Sequence, residues 1–134
     1  MSRLVNIGVG EMIDRLTILS LKILVGRERR KDVTHFETEQ TALFQQIGNL
    51  RFTLTGSGFA VAFSELAAVN GQLWQAEDQL RAWRGEQKSG VALEVNWELI
   101  VTCAFRIQDL NDRRAALVRQ INQLAGDVAE PEKL

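Results

Sequence analysis

The chain has 134 residues, a length that fits one domain with one hydrophobic core. Its formal net charge of -1 lacks the excess of lysine and arginine that nucleic-acid binding and electrostatic membrane anchoring need. It contains no apolar stretch of membrane-spanning length, and its first residues do not resemble a signal peptide. We therefore expect a cytoplasmic protein that binds neither nucleic acid nor membrane.

Residues that hold metals or cofactors are scarce in this chain. Cys103 is the single cysteine and His35 the single histidine, so an intrachain disulfide and a zinc site of the usual Cys/His kind are excluded. The sequence Gly8-x-Gly10 begins like a dinucleotide-binding turn, but Ile13 stands where that turn needs a small residue. We expect no metal centre and no cofactor.

Apolar residues recur at helical spacing and predict four helices, over residues 11–25, 35–53, 59–84 and 96–124. The first is apolar on nearly every side, which is typical of a helix in the middle of a bundle. The third carries a seam of apolar residues three and four positions apart: Phe59, Ala62, Leu66, Val69, Leu73, Ala76, Leu80 and Trp83. The pattern predicts an all-α fold, an antiparallel bundle of about four helices.

The domain organisation is predicted to be simple. Residues 1–134 form one helical domain, and residues 126–134, with Pro131 and several charges, form a flexible tail. Thr34-x-x-Glu37 has the spacing of a capping box and predicts the start of the second helix.

Charged and amide side chains lie beside the apolar seams of three predicted helices. They are Glu11, Asp14 and Arg15 on the first helix, Asn70, Trp74, Glu77, Asp78 and Arg81 on the third, and Asn111, Asp112, Arg113 and Arg114 on the fourth. Their spacing predicts that they converge on one layer of the bundle. This candidate polar cluster is the most informative feature of the sequence.

Two interpretations of the cluster are open. A carboxylate drawn out of water needs an arginine or amide partner, so the cluster is either a structural network or a ligand pocket. In a network, we expect Arg113 and Arg114 to pair with Glu77 and Asp78, because antiparallel helices bring their middles together. In a pocket, Arg81, Arg113 or Arg114 binds a small anion, with Glu77 or Asp78 as the acid or base.

Three segments of the chain carry a resemblance to a known family. They are Gly10-Glu11-Met12-Ile13-Asp14-Arg15-Leu16-Thr17-Ile18-Leu19-Ser20-Leu21-Lys22, then Val69-Asn70-x-x-Leu73-Trp74-x-x-Glu77-Asp78-x-x-Arg81, and finally Leu110-Asn111-Asp112-Arg113-Arg114-Ala115-Ala116-Leu117, which runs on to Ile121-Asn122. Together they resemble a family of small bacterial helical proteins, a domain of unknown function with GE-x-x-D, N-x-x-LW-x-x-ED and N-D-x-R segments. The resemblance implies a cytoplasmic helical protein and a loose link to bacterial surface-polysaccharide metabolism, but no activity. In the middle segment this chain carries Gly71, which would permit close helix contact.

The leading functional hypothesis is a non-catalytic helical interaction or accessory module that forms a homodimer. Its basis is the long seam of the third helix and the apolarity of the first, which exceed what one small bundle buries. The alternative is an enzyme or a binding protein for a small anionic ligand that uses the polar cluster. The segment Ile13-Asp14-Arg15-Leu16 also resembles helical chorismate mutases. The full set of cationic residues that such enzymes need is not found in this chain. The sequence does not decide whether the protein is an enzyme.

Overall fold

The computed structural model describes residues 8–48, 57–88 and 97–126, in which it contains four α-helices. These are α1 (Val9–Glu28), α2 (Thr34–Gly48), α3 (Ser57–Lys88) and α4 (Trp97–Leu124). The all-α class and the four-helix bundle are confirmed, and the predicted bounds agree to within about one helical turn wherever they can be compared. The predicted end of the second helix at residue 53 and the tail from residue 127 lie outside the described residues.

Helix α1 is the central element of the bundle. It packs against each of the other three helices, whereas α2, within the described residues, contacts only α1. Helices α3 and α4 pack against each other in antiparallel orientation, since Arg113 contacts Glu65 and Arg106 contacts Gln72. The central position predicted for the first helix is confirmed. Its buried apolar residues are Val9, Met12, Ile13, Leu16, Leu19 and Ile23.

Burial along the α3–α4 hairpin is uneven. The α3 seam is buried from Ala62 to Ala76, but Leu80 and Trp83 beyond it are only half-buried. Helix α4 shows the same trend, because its buried residues all lie in its last two turns: Leu117, Ile121 and Asn122. The end of the hairpin at which α3 finishes and α4 begins is therefore the less covered end.

Gly10 allows the close approach of α1 to α4, whereas the sequence predicted close contact at Gly71. A Cβ atom at Gly10 would overlap the main-chain oxygen of Val118. At Gly71 a Cβ would meet no described atom within 4 Å outside its own stretch of helix. The prediction of close helix contact at Gly71 is therefore wrong, because that position of α3 faces open space.

Helix α2 starts at Thr34, in agreement with the prediction, but the interactions at its start differ from the predicted ones. Asp32 Oδ1 accepts hydrogen bonds from the backbone N–H of Thr34 at 2.9 Å and from its hydroxyl at 2.6 Å. These hydrogen bonds lower the pKa of Asp32, because they favour its charged form. Glu37 pairs with Arg27 of α1 instead of returning to the helix start. The capping-box prediction is wrong, since an aspartate two residues earlier caps the helix.

The two glycines give a matched pair of stability predictions. We expect Gly10→Ala to destabilise the protein by about 1–3 kcal/mol, because the methyl group forces α1 away from α4. Gly71→Ala should stabilise it by about 0.5–1 kcal/mol, because alanine is the better helix former and has open space. Urea unfolding followed by circular dichroism measures both changes. Equal effects at the two positions would contradict this packing of α1 on α4.

Candidate functional site

A buried carboxylate lies where α1, α3 and α4 meet. Asp14 Oδ1 accepts hydrogen bonds from Nε of Arg114 and from Nδ2 of Asn70, each at 2.9 Å. Its Oδ2 accepts a third from Nη2 of Arg114 at 2.5 Å. The same Nδ2 of Asn70 donates at 2.7 Å to Oγ1 of Thr17, whose hydroxyl donates to the main-chain oxygen of Asp14. We call Asp14, Thr17, Asn70 and Arg114 the polar layer.

The charges of the polar layer balance within the layer itself. The side chain of Asp14 is only 12% exposed and that of Arg114 33%, so their ion pair lies largely out of water. The hydrogen bonds to Asp14 raise the pKa of Arg114 above its ordinary value, although partial burial acts in the opposite direction. Arg114 therefore stays cationic, and its charge balances the carboxylate.

A second polar contact joins α1 to α4 one helical turn away. Asn122 Oδ1 accepts a hydrogen bond at 2.6 Å from the backbone N–H of Gly10, in the first turn of α1. Its Nδ2 donates to Glu11 Oε1 at 3.0 Å. Gly8, the N-cap residue of α1, has no side chain for this purpose, so an asparagine from α4 caps the helix in its place.

Sequence reasoning found three members of the polar layer: Asp14, Asn70 and Arg114. It did not include Thr17 or Asn122 in the cluster. The sequence did contain a signal for both, since each polar residue follows an apolar one by four positions, Thr17 after Ile13 and Asn122 after Val118. Both are buried in the structure.

The other members of the predicted cluster lie elsewhere. Arg15 forms a bidentate pair with Glu39 of α2, and Asp78 lies 3.6 Å from both Arg29 and Arg81. Trp74 is half-buried. The remaining members are exposed: Glu11, Glu77, Arg81, Asn111, Asp112 and Arg113.

The predicted pairing of α3 with α4 is wrong in its partners. Arg114 pairs with Asp14 of α1, and Arg113 pairs with Glu65, three helical turns before the predicted carboxylates. Asp78 lies instead near Arg29, which caps the end of α1, and near Arg81 of α3. Glu77 contributes only a weak electrostatic effect at Arg114. The error comes mainly from the register of α4 along α3, which places Glu65 and not Glu77 opposite Arg113, and from the rotation that turns Arg114 toward α1. Spacing along one helix determines neither.

The four arginines of the cluster all lie beside carboxylates. Arg15, Arg81, Arg113 and Arg114 contact Glu39, Asp78, Glu65 and Asp14 respectively. An anion-binding pocket needs cationic groups that converge on open space, and these point to four different acidic partners. Among the described residues, no three His, Cys, Asp or Glu side chains are grouped so as to hold a metal ion.

An apolar groove runs between α1, α2 and α3. Its volume is about 510 Å³, and residues such as Leu16, Leu24, Phe44 and Phe63 line it. Its two hydroxyl groups are already engaged, that of Thr17 within the polar layer and that of Ser20 with Gln40. The groove therefore offers hydrocarbon surface and does not suit an anionic ligand.

The first turns of α4 expose large apolar side chains. Trp97, Val101 and Phe105 are four residues apart, so they form one stripe, which we call the α4 face. Trp97 is 63% and Phe105 61% exposed; Leu99 is 55% exposed but lies on another side of the helix, roughly 160° round from Val101. A shallow hollow of about 570 Å³ flanks Phe105 and is lined by polar residues such as Arg106 and Asp109. Clustered exposed apolar side chains of this kind are a feature that protein-interaction surfaces share.

Comparisons with protein-family models, with curated proteins and with solved structures gave no significant match. Within residues 8–48, 57–88 and 97–126, no helix has the length and apolarity required to cross a bilayer. The polar layer and the α4 face are therefore the two features that bear on the function of this chain.

Arg113 and Arg114 are adjacent in the sequence but differ in burial, so substitutions at the two positions test the polar layer. We expect Arg114→Met to destabilise the protein by about 3–5 kcal/mol, because it leaves the buried carboxylate of Asp14 without its cation. Arg113→Met should cost less than about 1 kcal/mol, since its pair with Glu65 is exposed. Denaturant unfolding measures both. A double-mutant cycle with Asp14→Asn should show coupling to Arg114 but not to Arg113, and additive effects for both pairs would overturn the network.

Proposed function

We propose that this chain is a non-catalytic helical interaction module, which binds a protein partner through the α4 face. The observation that carries the proposal is the exposure of Trp97, Val101 and Phe105 on one stripe of a well-formed helix. Aromatic side chains are costly to leave in water and are enriched at the centres of protein interfaces. A helix that presents them four residues apart has the geometry of an interface helix.

The state of the charged residues supports a binding role over a catalytic one. General acid–base chemistry needs a titratable group in contact with a substrate-sized space. In the polar layer, both carboxylate oxygens of Asp14 instead accept hydrogen bonds, from Arg114 and Asn70. This arrangement is typical of a structural network. The alternative function, binding of a small anion, needs an arginine that is not already paired, and each of the four cluster arginines lies beside a carboxylate.

The family resemblance is compatible with this role. It implies a loose link to bacterial surface-polysaccharide metabolism and no activity of its own. The bacterial origin, the cytoplasmic location and the homodimer predicted from the sequence remain predictions.

A photoreactive amino acid at position 101 tests the proposal in the native host. We expect ultraviolet light to join the protein covalently to one defined partner, identified by mass spectrometry, because Val101 lies in the middle of the α4 face. The same amino acid at Gln123 is the matched control, since it is exposed on the same side of α4 but roughly 33 Å further along the helix. Phe105→Lys should abolish the adduct at position 101. No adduct, or equal adducts at both positions, would refute the proposed function.

A further inference from the structure

We propose that the apolar groove between α1, α2 and α3 is a binding site for one linear alkyl chain, whose polar headgroup stays outside in water. The proposal goes beyond the interaction module, because none of the described residues that line the groove belongs to α4. Three properties of the groove support it: its walls, its polarity and its dimensions.

The groove exists because α2 stands apart from α3. Within the described residues α2 packs on α1 alone, so α1 forms the floor of the groove and α2 and α3 form its two sides. Ile13 and Leu16 on the floor are buried, whereas Leu24 and Phe44 near the edge are 59% and 58% exposed. Large apolar side chains are therefore left in contact with water, and an apolar occupant would cover them.

The polarity of the groove selects an uncharged occupant. Among the described residues that line it, none carries a charge. Its two hydroxyl groups are engaged, that of Thr17 with the main-chain oxygen of Asp14 and with Asn70, and that of Ser20 with Gln40. A polar ligand would lose its hydration here without gaining a hydrogen bond, which is unfavourable. An alkyl chain matches the groove, because it has no group that needs a polar partner.

The dimensions of the groove favour a chain over a helix. The lining runs along α1 from Ile13 to Leu24, a length of roughly 16 Å. An α-helix of that length occupies roughly 1,200–1,800 Å³ with its side chains, more than twice the groove volume of about 510 Å³. A single alkyl chain, roughly 4–5 Å across at van der Waals contact, occupies roughly 200–300 Å³. At about 1.25 Å per carbon, the groove holds roughly twelve or thirteen carbons of an extended chain.

The dependence of affinity on chain length tests the proposal. Alkylphosphocholines with tails of eight to sixteen carbons, each below its micelle concentration, are titrated into the full chain and followed by calorimetry. We expect saturable binding whose dissociation constant falls roughly fourfold or more for each added pair of methylene groups, up to about twelve carbons. Longer tails should change it less than about twofold, because the added carbons lie beyond the groove. Phosphocholine alone should not bind.

Two results of the titration would overturn the proposal. One is the absence of saturable binding at every chain length. The other is an affinity that keeps rising at the same rate to sixteen carbons, since the groove would then not limit the length of the bound chain.

A pair of alanines locates the bound chain. Ala67 lies on the α3 side of the groove, so Ala67→Leu fills part of it and should weaken the binding of dodecylphosphocholine at least roughly tenfold. Ala82→Leu is the matched control, because Ala82 is exposed on the same helix and does not line the groove. Circular dichroism verifies that both variants remain helical. Equal affinities of the two variants would contradict the proposed site.

Exposed positions provide a second test that does not depend on the fold tolerating a larger core side chain. Phe44→Asp places a charge at the edge of the groove and should weaken binding at least roughly fivefold, whereas Gln45→Asp, at an exposed neighbour outside the lining, should not. Phe105→Lys on the α4 face should also leave binding unchanged. Loss of binding in Phe105→Lys, with full binding in Phe44→Asp, would move the alkyl chain to the α4 face and refute the groove as its site.

Discussion

The ion pair between Asp14 and Arg114 joins two residues that are 100 positions apart in the sequence, and the placement of α1 between α3 and α4 depends on it. Helix α1 is apolar on nearly every side, so hydrophobic packing alone would accept several rotations of this helix. A buried carboxylate accepts only the rotation in which its donors reach it. Asp14, with Thr17 one turn later, therefore selects the face of α1 that meets Asn70 and Arg114.

The contacts near the N-terminus of α1 fix its position along the bundle axis as well. Asn122 caps the helix at Gly10, and the lack of a side chain at Gly10 lets the backbone of α4 approach. The polar layer, the cap and this glycine all lie toward the same end of the bundle. At the opposite end of the α3–α4 hairpin, Asp78 forms an exposed ion pair with Arg29, which directly follows α1. Sites that bind partners are drawn from such less stabilised regions.

Periodicity along the chain was sufficient to predict the helices and the central position of α1. It also identified Asp14, Asn70 and Arg114, because polar residues at inward positions of an apolar seam are conspicuous. It did not predict their partners, since a pattern on one helix shows which residues share a face but neither the register nor the rotation of neighbouring helices. For the same reason it selected Gly71 for a close contact that occurs at Gly10. Thr17 and Asn122 were not selected, because neither belongs to the apolar seams or to the polar stripes that the spacing defined.

The polar layer holds one end of the molecule together, and the α4 face at the other end is the proposed binding surface. Hydrogen exchange followed by mass spectrometry, on the unmodified chain and on Arg114→Met, tests the structural role of the polar layer most directly. We expect the substitution to speed exchange in residues 10–20 and 110–122 more than in residues 97–106. Unchanged exchange around Asp14 and Arg114 would contradict the structural role, because the ion pair would then not hold α1 in place.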